Sequence, residues 1–447
     1  MEENKMGTME MKKLIITMSF PIMISMLIQA LYNIVDSMFV ARVSQAALAA
    51  VSLCYPIQMI IIAVACGTGV GINALLSRYL GEKNFIKANN VAMHGIFLAL
   101  INWLIFLVLG LFGSKLFLQL FSNDPTITNM GVSYMQICTI FSVGVFVQIT
   151  YERIMQATGN TIYNMIIQGV GALVNIILDP IFIFGLFGIP AMGVTGAAIA
   201  TVIGQLIAML LGIFITQFKV KEVTISLRKW RLDVHIIKKI YTIGIPAILM
   251  QSIMSFMTVF MNMILVNFSE LAVSVFSIYY KLQQFVFMAV LGMTNALVPI
   301  IAFNYGAVKP ERIKAAIKFS LLLSCLIMIV GTIIFQLWPE ELLFLFDAEA
   351  NMLSIGVPAL KIISISFVFA GISMVLCSIF QALAKANDSL IITLLRQLVL
   401  LIPLTAFLAK TYGLNVAWWA FVITEVICAI CSLIFLKNIK KNILDKM

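Results

Sequence analysis

The chain has 447 residues, of which 62% are hydrophobic and 11% charged, and a formal net charge of +10. Soluble domains carry roughly 25% charged residues, so this composition excludes a water-soluble core and points to an all-α integral membrane protein. The positive charge does not argue for a nucleic-acid partner, because the basic residues lie in short loops between apolar runs, where the positive-inside rule puts them. A β-barrel does not fit either, since the apolar segments are continuous rather than alternating stretches of about ten residues.

In chain order, apolar runs long enough to cross a bilayer, about 20 residues each, fall at 14–40, 47–77, 91–111, 131–156, 162–187 and 191–218. Six more follow at 236–266, 272–303, 317–337, 353–383, 390–408 and 414–436. The first begins after Lys12-Lys13 and imitates a secretory signal, but it exceeds the ~7–15 residues of a signal core and contains Asp36, so it reads as an uncleaved span. Twelve transmembrane helices are therefore expected. With twelve, 23 of the basic side chains fall in loops on one side and three, Arg42, Lys115 and Lys410, on the other. Lys281, Lys361 and Arg396 lie inside spans. That asymmetry puts both termini in the cytoplasm. The acidic loop with Glu340, Glu341, Asp347 and Glu349 then lies outside.

The most polar stretch, 219–233, divides two halves that resemble each other. Pro21 matches Pro246, Ser52 and Tyr55 match Ser277 and Tyr280, Gly81 matches Gly306, and Gln156-Ala157 matches Gln381-Ala382, all 225 positions apart. Near the end, the run from Gly193 to Thr201 matches that from Gly413 to Phe421 at an offset of 220. The expected organisation is an N-terminal six-helix lobe over 1–218, a cytoplasmic linker over 219–235 and a C-terminal six-helix lobe over 236–447. Six spans is an even number, so the repeat is parallel. The halves differ in chemistry: Asp36 aligns with Met261, Thr201 with Phe421, and nothing acidic stands opposite Asp179.

Polar residues inside the spans form stripes. In the fifth, Asn164, Gln168, Gly171, Asn175 and Asp179 share one helical face, as positions three and four apart do; in the first, Ser25, Gln29, Tyr32, Asn33 and Asp36 do the same, and in the seventh Gln251, Ser255, Thr258 and Asn262. Uncharged stripe residues have a bland reading as interhelical hydrogen-bond glue. Carboxylates do not: each costs at least ~2.5–3.5 kcal/mol near the bilayer centre, and an intramembrane acid without a basic partner is a functional candidate. Asp36 and Asp179 together are the raw material of a cation site. Sodium wants hard oxygen ligands, while withdrawal from water favours a neutral carboxyl, so Na+ and H+ both remain open. Glu152 beside Arg153 reads as an interfacial pair. Stripes on the first and seventh spans nominate Gln29, Tyr32, Asn33, Gln251 and Ser255 as cavity lining.

The seven cysteines lie inside apolar runs and His94 and His235 are isolated, so no metal or redox centre is indicated; Cys428 and Cys431 have metal-like spacing but no second pair. No phosphate-binding glycine motif or nucleophile triad is present. No cofactor is expected, and no enzyme.

Asn175-Ile-Ile-Leu-Asp179-Pro180, the Gly-Ala-Ala-x-Ala-Thr run from Gly196 to Thr201, Gln156-Ala-Thr-Gly159, Pro21 with Asp36, and Ser77-Arg78-Tyr-Leu-Gly81 together resemble the multidrug and toxic compound extrusion (MATE) transporters. The resemblance spans essentially the whole chain and is greatest to the DinF-type, MepA-like bacterial branch. It implies a multi-pass protein of the bacterial inner membrane, functional as a monomer, that exports organic cations and amphipathic drugs in exchange for Na+ or H+ by alternating access between two lobes. It further implies a coupling-cation site of Asp36, Asn175, Asp179 and Thr201, with the carbonyl of Ala197 as a further ligand. A lipid-linked oligosaccharide flippase of the same superfamily is the alternative, which Lys281, Lys361 and Arg396 keep open.

Overall fold

The computed structural model describes residues 4–226, 230–346 and 348–447; Arg228, Lys229 and Asp347 of the charge pattern, part of the linker, and residues 1–3 lie outside them. Among the described residues every regular element is helical. The first half comprises α1 (Lys5–Thr8), α2 (Met11–Ala41), α3 (Gln45–Gly81), α4 (Phe85–Gln119), α5 (Pro125–Ile140), α6 (Val143–Ala157), α7 (Ile162–Phe184) and α8 (Val194–Lys219). The second comprises α9 (Val234–Leu265), α10 (Glu270–Gly306), α11 (Pro310–Leu337), α12 (Pro339–Phe344), α13 (Ala350–Ser364), α14 (Phe367–Ala382), α15 (Ala386–Leu394), α16 (Leu401–Tyr412), α17 (Leu414–Ala417) and α18 (Trp419–Asn442).

Ten helices are long and apolar enough to cross a membrane, and twelve spans result when two bent pairs are each counted as one. Those pairs are the fourth and tenth apolar runs. α5 and α6 meet at 42°, α13 and α14 at 49°. Hydroxyls explain both breaks, because Ser and Thr side chains compete for helix carbonyls. Ser142 Oγ donates to the Thr139 carbonyl at 2.8 Å and Ser366 Oγ to that of Ile363 at 2.6 Å. The eleventh run is also interrupted, by a π turn over Leu395–Val399 between α15 and α16.

The internal repeat is written into the backbone. Ser44 and Ser269, 225 apart, are extended N-caps whose hydroxyls accept from Ala47 N and Leu271 N. α3 and α10 end in the same way: Asn84 N reaches the Tyr79 carbonyl and Lys309 N that of Asn304, while Lys83 and Val308 take positive φ of 56° and 53°. This is the left-handed closure that satisfies last-turn carbonyls and favours glycine. α6 and α14 close likewise at Gly159 and Ala384.

The chain forms two compact units, one containing the described residues up to Ser19 together with Leu249–Met447, the other Phe20–Ile248. The crossings between these units fall inside α2 and α9, and contacts explain why. In the first unit α1 is clasped: Arg312 Nη2 donates to the carbonyls of Met6 and Met9, and Asn304 Nδ2 to that of Met6. In the second, the start of α9 lies against α3 where glycines let backbones touch. A Cβ on Gly67 would fall 2.4 Å from the Ile248 side chain, and one on Gly71 2.2 Å from the Ile240 carbonyl oxygen. The linker that precedes α9 docks on α4 through Thr224 N to Asn89 Oδ1 and Asp233 N to His94 Nε2, both 2.8 Å. All seven cysteines are free thiols.

Val308 is 60% exposed, so it packs against little, yet it holds a β-branched side chain at positive φ, where a non-glycine residue costs about 1–2 kcal/mol. Val308→Gly is expected to raise the apparent Tm of the detergent-purified protein by about 1–2 °C, measured by intrinsic-fluorescence melting.

Candidate functional site

α7 and α8 approach more closely than ordinary side chains allow. A Cβ on Gly196 would sit 2.4 Å from the Phe182 carbonyl oxygen, and one on Gly204 would sit 2.8 Å from that of Gly171. Small residues permit such contact between membrane helices. The approach brings Asn175 and Asp179 of α7 against Thr201 of α8. Asn175 Nδ2 donates to Asp179 Oδ1 at 3.3 Å and to Thr201 Oγ1 at 3.4 Å. Pro180 follows at once within the helix and, lacking an N–H, leaves the Ile176 carbonyl without its helical donor.

Asp36 on α2 completes the group, its carboxyl an electrostatic neighbour of that of Asp179. Asp179 is 0% exposed and Asn175 3%. Three oxygens here are buried with no hydrogen-bond partner: Asp36 Oδ1, Asn175 Oδ1 and Asp179 Oδ2. A buried acceptor left unmade costs about 1–3 kcal/mol, and more when charged. Two like charges set together out of water are costlier still. A small hard cation would satisfy all three oxygens; a proton would join the two carboxyls by one hydrogen bond. The donor set suits either.

Of the sequence candidates, Asp36, Asn175, Asp179 and Thr201 are thus gathered in one place. Ala197 lies one turn before Thr201 with its side chain in an apolar cluster of Val40, Ile183 and Val194; its carbonyl is engaged in the helix ladder. Gln29, Tyr32 and Asn33 share α2 with Asp36, Tyr32 within electrostatic range of both carboxyls and Asn33 exposed. Gln251 and Ser255 are exposed on α9, in the other unit.

Sequence reasoning missed Tyr134 and Gln58. Tyr134, 2% exposed, is an electrostatic neighbour of Asp36 and receives a 3.0 Å hydrogen bond from Gln58 Nε2. Gln58 has Tyr55 three positions before it and Tyr134 has Cys138 four after it, pairs too short to stand out as a stripe. Glu152, beside Arg153 in sequence and an electrostatic neighbour of it, also has amide partners. It is 7% exposed and accepts from Gln148 Nε2 at 2.9 Å and Gln168 Nε2 at 3.0 Å. Gln168 and Asn164, the early part of the α7 stripe, therefore serve Glu152, the Asn164 amide reaching its carbonyl. In the second half, Lys281 lies over the Phe346 ring and Arg396 pairs with Glu425. Among the described residues no group of three His, Cys, Asp or Glu side chains could hold a metal.

The family model described as MatE matches residues 21–181 and 246–407. The chain belongs to the MatE family. The two matched blocks restate the internal repeat, each starting at its proline, Pro21 or Pro246. Relatives include the multidrug export protein MepA of Staphylococcus saprophyticus, 27% identical over 93% of this chain and 91% of its own length. The MepA protein of Staphylococcus haemolyticus is 28% identical over 95% and 93%. Among solved structures, an outward-facing multidrug resistance MATE transporter of the MOP superfamily superposes with a TM-score of 0.93 at 26% identity, covering 100% of this chain and 99% of its own. A MOP superfamily transporter from Pyrococcus furiosus, described as having a binding pocket of reversed polarity that suggests a different function, gives 0.91 at 26% identity, covering 100% and 99%. The chain is a multi-pass membrane transporter of this family, not an enzyme.

The glycine contact is testable along one helix. Gly204→Ala puts a Cβ against the Gly171 backbone, which cannot move away as a flexible side chain can, whereas a Cβ at Gly212 meets its nearest atom at 3.5 Å. Gly204→Ala is expected to lower stability by about 1–3 kcal/mol, as overpacking does, and Gly212→Ala to leave it unchanged, read as apparent Tm in detergent.

Proposed function

We propose that this protein is a cation-coupled multidrug exporter, in which Asp36, Asn175, Asp179 and Thr201 bind the coupling Na+ or H+ and amphipathic or cationic drugs are the cargo. The observation that carries the reading is the neighbouring pair Asp36 and Asp179, with three buried oxygens around it that lack partners. The relatives named as multidrug export proteins support drug cargo over a lipid-linked oligosaccharide. Of Lys281, Lys361 and Arg396, which kept the flippase reading open, Lys281 lies over Phe346 and Arg396 pairs with Glu425, while Lys361 is exposed.

The energetics supply the coupling. Entry of one cation relieves the repulsion between the carboxyls and gives the free oxygens a partner, so the bound and free states of the site favour different packings of α2 against α7 and α8. If drug binds one of these packings better, cation and drug shift each other's affinity by the same factor. Gln29, Tyr32 and Asn33 on α2, with Gln251 and Ser255 on α9, are the side chains nominated to meet drug. The bacterial inner membrane, a monomeric state and cytoplasmic termini belong to the same proposal, the last resting on the basic-loop asymmetry.

Asp36→Asn and Asp179→Asn are each expected to abolish efflux of a fluorescent cation from vesicles under an imposed Na+ or H+ gradient, while abundance and Tm hold. The double variant should be scarcely worse than either single one, because groups acting as a unit are non-additive. Near wild-type transport by Asp179→Asn would refute the coupling role.

Orientation has its own test. In a cysteine-free background, Ser226→Cys in the linker is expected to react with a membrane-impermeant maleimide only after cells are opened, and Glu340→Cys in intact cells. The reverse pattern would invert the topology.

A further inference from the structure

The linker is held on α4 by a ring whose protonation state the geometry fixes. His94 is fully buried. Its Nδ1 lies 2.7 Å from the Asn90 carbonyl oxygen, which can only accept. Its Nε2 lies 2.8 Å from the main-chain N of Asp233, which can only donate. Nδ1 therefore carries the ring proton and Nε2 the lone pair, and the imidazole is neutral. Nδ1 then has no lone pair for Trp230 Nε1, 3.3 Å away. The indole is held by ring packing instead, its centroid 5.4 Å from those of both His94 and Phe97.

What the ring holds is the beginning of a helix. Asp233 caps α9, its Oδ1 accepting from His235 N at 2.9 Å and its carbonyl from Ile236 N and Ile237 N. A capping side chain satisfies donors that have no partner inside the helix. One residue thus starts α9 with its side chain and carbonyl, and ties that start to α4 with its N–H. α9 continues past Ile248 into the other unit, so the tie stands at the leading end of a helix that joins the two.

A second ring proton is incompatible with this tie. Placed on Nε2, it would point at the Asp233 N–H, two donors facing each other with no acceptor between them. Docking and the imidazolium exclude each other, and histidine is the side chain that ordinarily titrates between pH 5 and 8. The charged groups on the neighbouring elements are engaged elsewhere. The Asp233 carboxylate caps α9, and Glu152 on α6 accepts from Gln148 and Gln168. Arg153 donates to Gln156, Arg78 on α3 pairs with Glu82, and Lys87 and Lys239 both approach Tyr79. Arg231, His235 and Lys238 are exposed.

The segment that leads into the first half supplies a contrast. α1 is clasped within its own unit through carbonyls, held by Arg312 and Asn304. A guanidinium keeps its protons across this pH range, and Phe319 stands at the repeat position of His94. One leading segment is therefore held by permanent donors, the other by an acceptor that a single proton removes. We infer that His94 is a pH-sensitive latch. Neutral, it holds Trp230–Asp233 and the start of α9 on α4; with a second ring proton it releases them. The tie is present at high pH and lost as pH falls. Neither the cargo nor the coupling ion enters this inference.

The chain has two histidines, which makes the ring directly observable. Solid-state NMR of the full chain in lipid bilayers, with isotope-labelled histidine and His235→Gln for assignment, reads which ring nitrogen is protonated. At about pH 8 His94 is expected to be protonated at Nδ1 alone, and at about pH 5 at both nitrogens. Over the same step hydrogen exchange in residues 230–236, corrected for the intrinsic rate, should rise about tenfold. Exchange in residues 4–9 of the Arg312 clasp should change by less than about twofold. His94→Gln, which keeps an acceptor and cannot take up the proton, should make 230–236 insensitive to pH; if that variant does not fold, the native ring's protonation still decides. A proton on Nε2 at about pH 8, or exchange in 230–236 that acid leaves unchanged, would overturn the latch. So would an acid response that persists in His94→Gln or is matched in residues 4–9.

Discussion

Asp179 stands with no exposed surface inside a span and with a second carboxyl near it, and hydrocarbon offers nothing to solvate either. Much of the surrounding structure is what makes that situation tenable. The glycines of α7 and α8 bring the Thr201 hydroxyl close enough for Asn175 to bridge from one helix to the other. That bridge uses both amide protons of Asn175 and turns its carbonyl oxygen toward the unsatisfied side of the group. The result is a cluster of buried oxygens, three of them without a hydrogen-bond partner among the described residues. The same side chains on a looser pair of helices would leave Asn175 out of reach of the Thr201 hydroxyl.

Architecture was legible in the sequence because the bilayer is a demanding solvent: it forces continuous apolar runs of fixed length and sorts basic loops to one side. The repeat was legible for a related reason, since caps and left-handed closures recur wherever the backbone must turn alike. Asp36 and Asp179 stood out because acids are so costly in a span. What escaped the sequence was tertiary. Nothing local tells that residues up to Ser19 associate with the second half, or that the opening of α9 lies on α3. Those depend on Arg312 finding the carbonyls of Met6 and Met9, and on two glycines meeting Ile240 and Ile248. Tyr134 and Gln58 escaped because a pair of polar residues is too short to show a period. The amides that Gln148 and Gln168 offer Glu152 escaped for the same reason, since Gln168 comes from another helix.

The two halves keep one backbone plan and divide the chemistry. Where the first half places paired acids, an amide and a hydroxyl, the second places methionines, rings and one guanidinium–carboxylate pair. Duplication supplied a fold symmetric enough to be read at offsets of 225 and 220, and divergence then changed side chains, Lys83 to Val308 and Gly159 to Ala384 among them, while the turns kept their backbone conformation. Similarity of fold therefore says little about cargo, as a relative of reversed pocket polarity at a TM-score of 0.91 already indicates.

The division into units runs through the middle of helices, not through loops. The described chain passes from one unit to the other at two points, after Ser19 in α2 and after Ile248 in α9. Each crossing lies within two residues of a helix-interior proline, Pro21 or Pro246. A proline deletes one backbone hydrogen bond and loosens the turn before it. Along the described chain the covalent linkage between the units thus consists of two helices, each short of one backbone hydrogen bond beside the crossing, which is where a helical rod bends most readily.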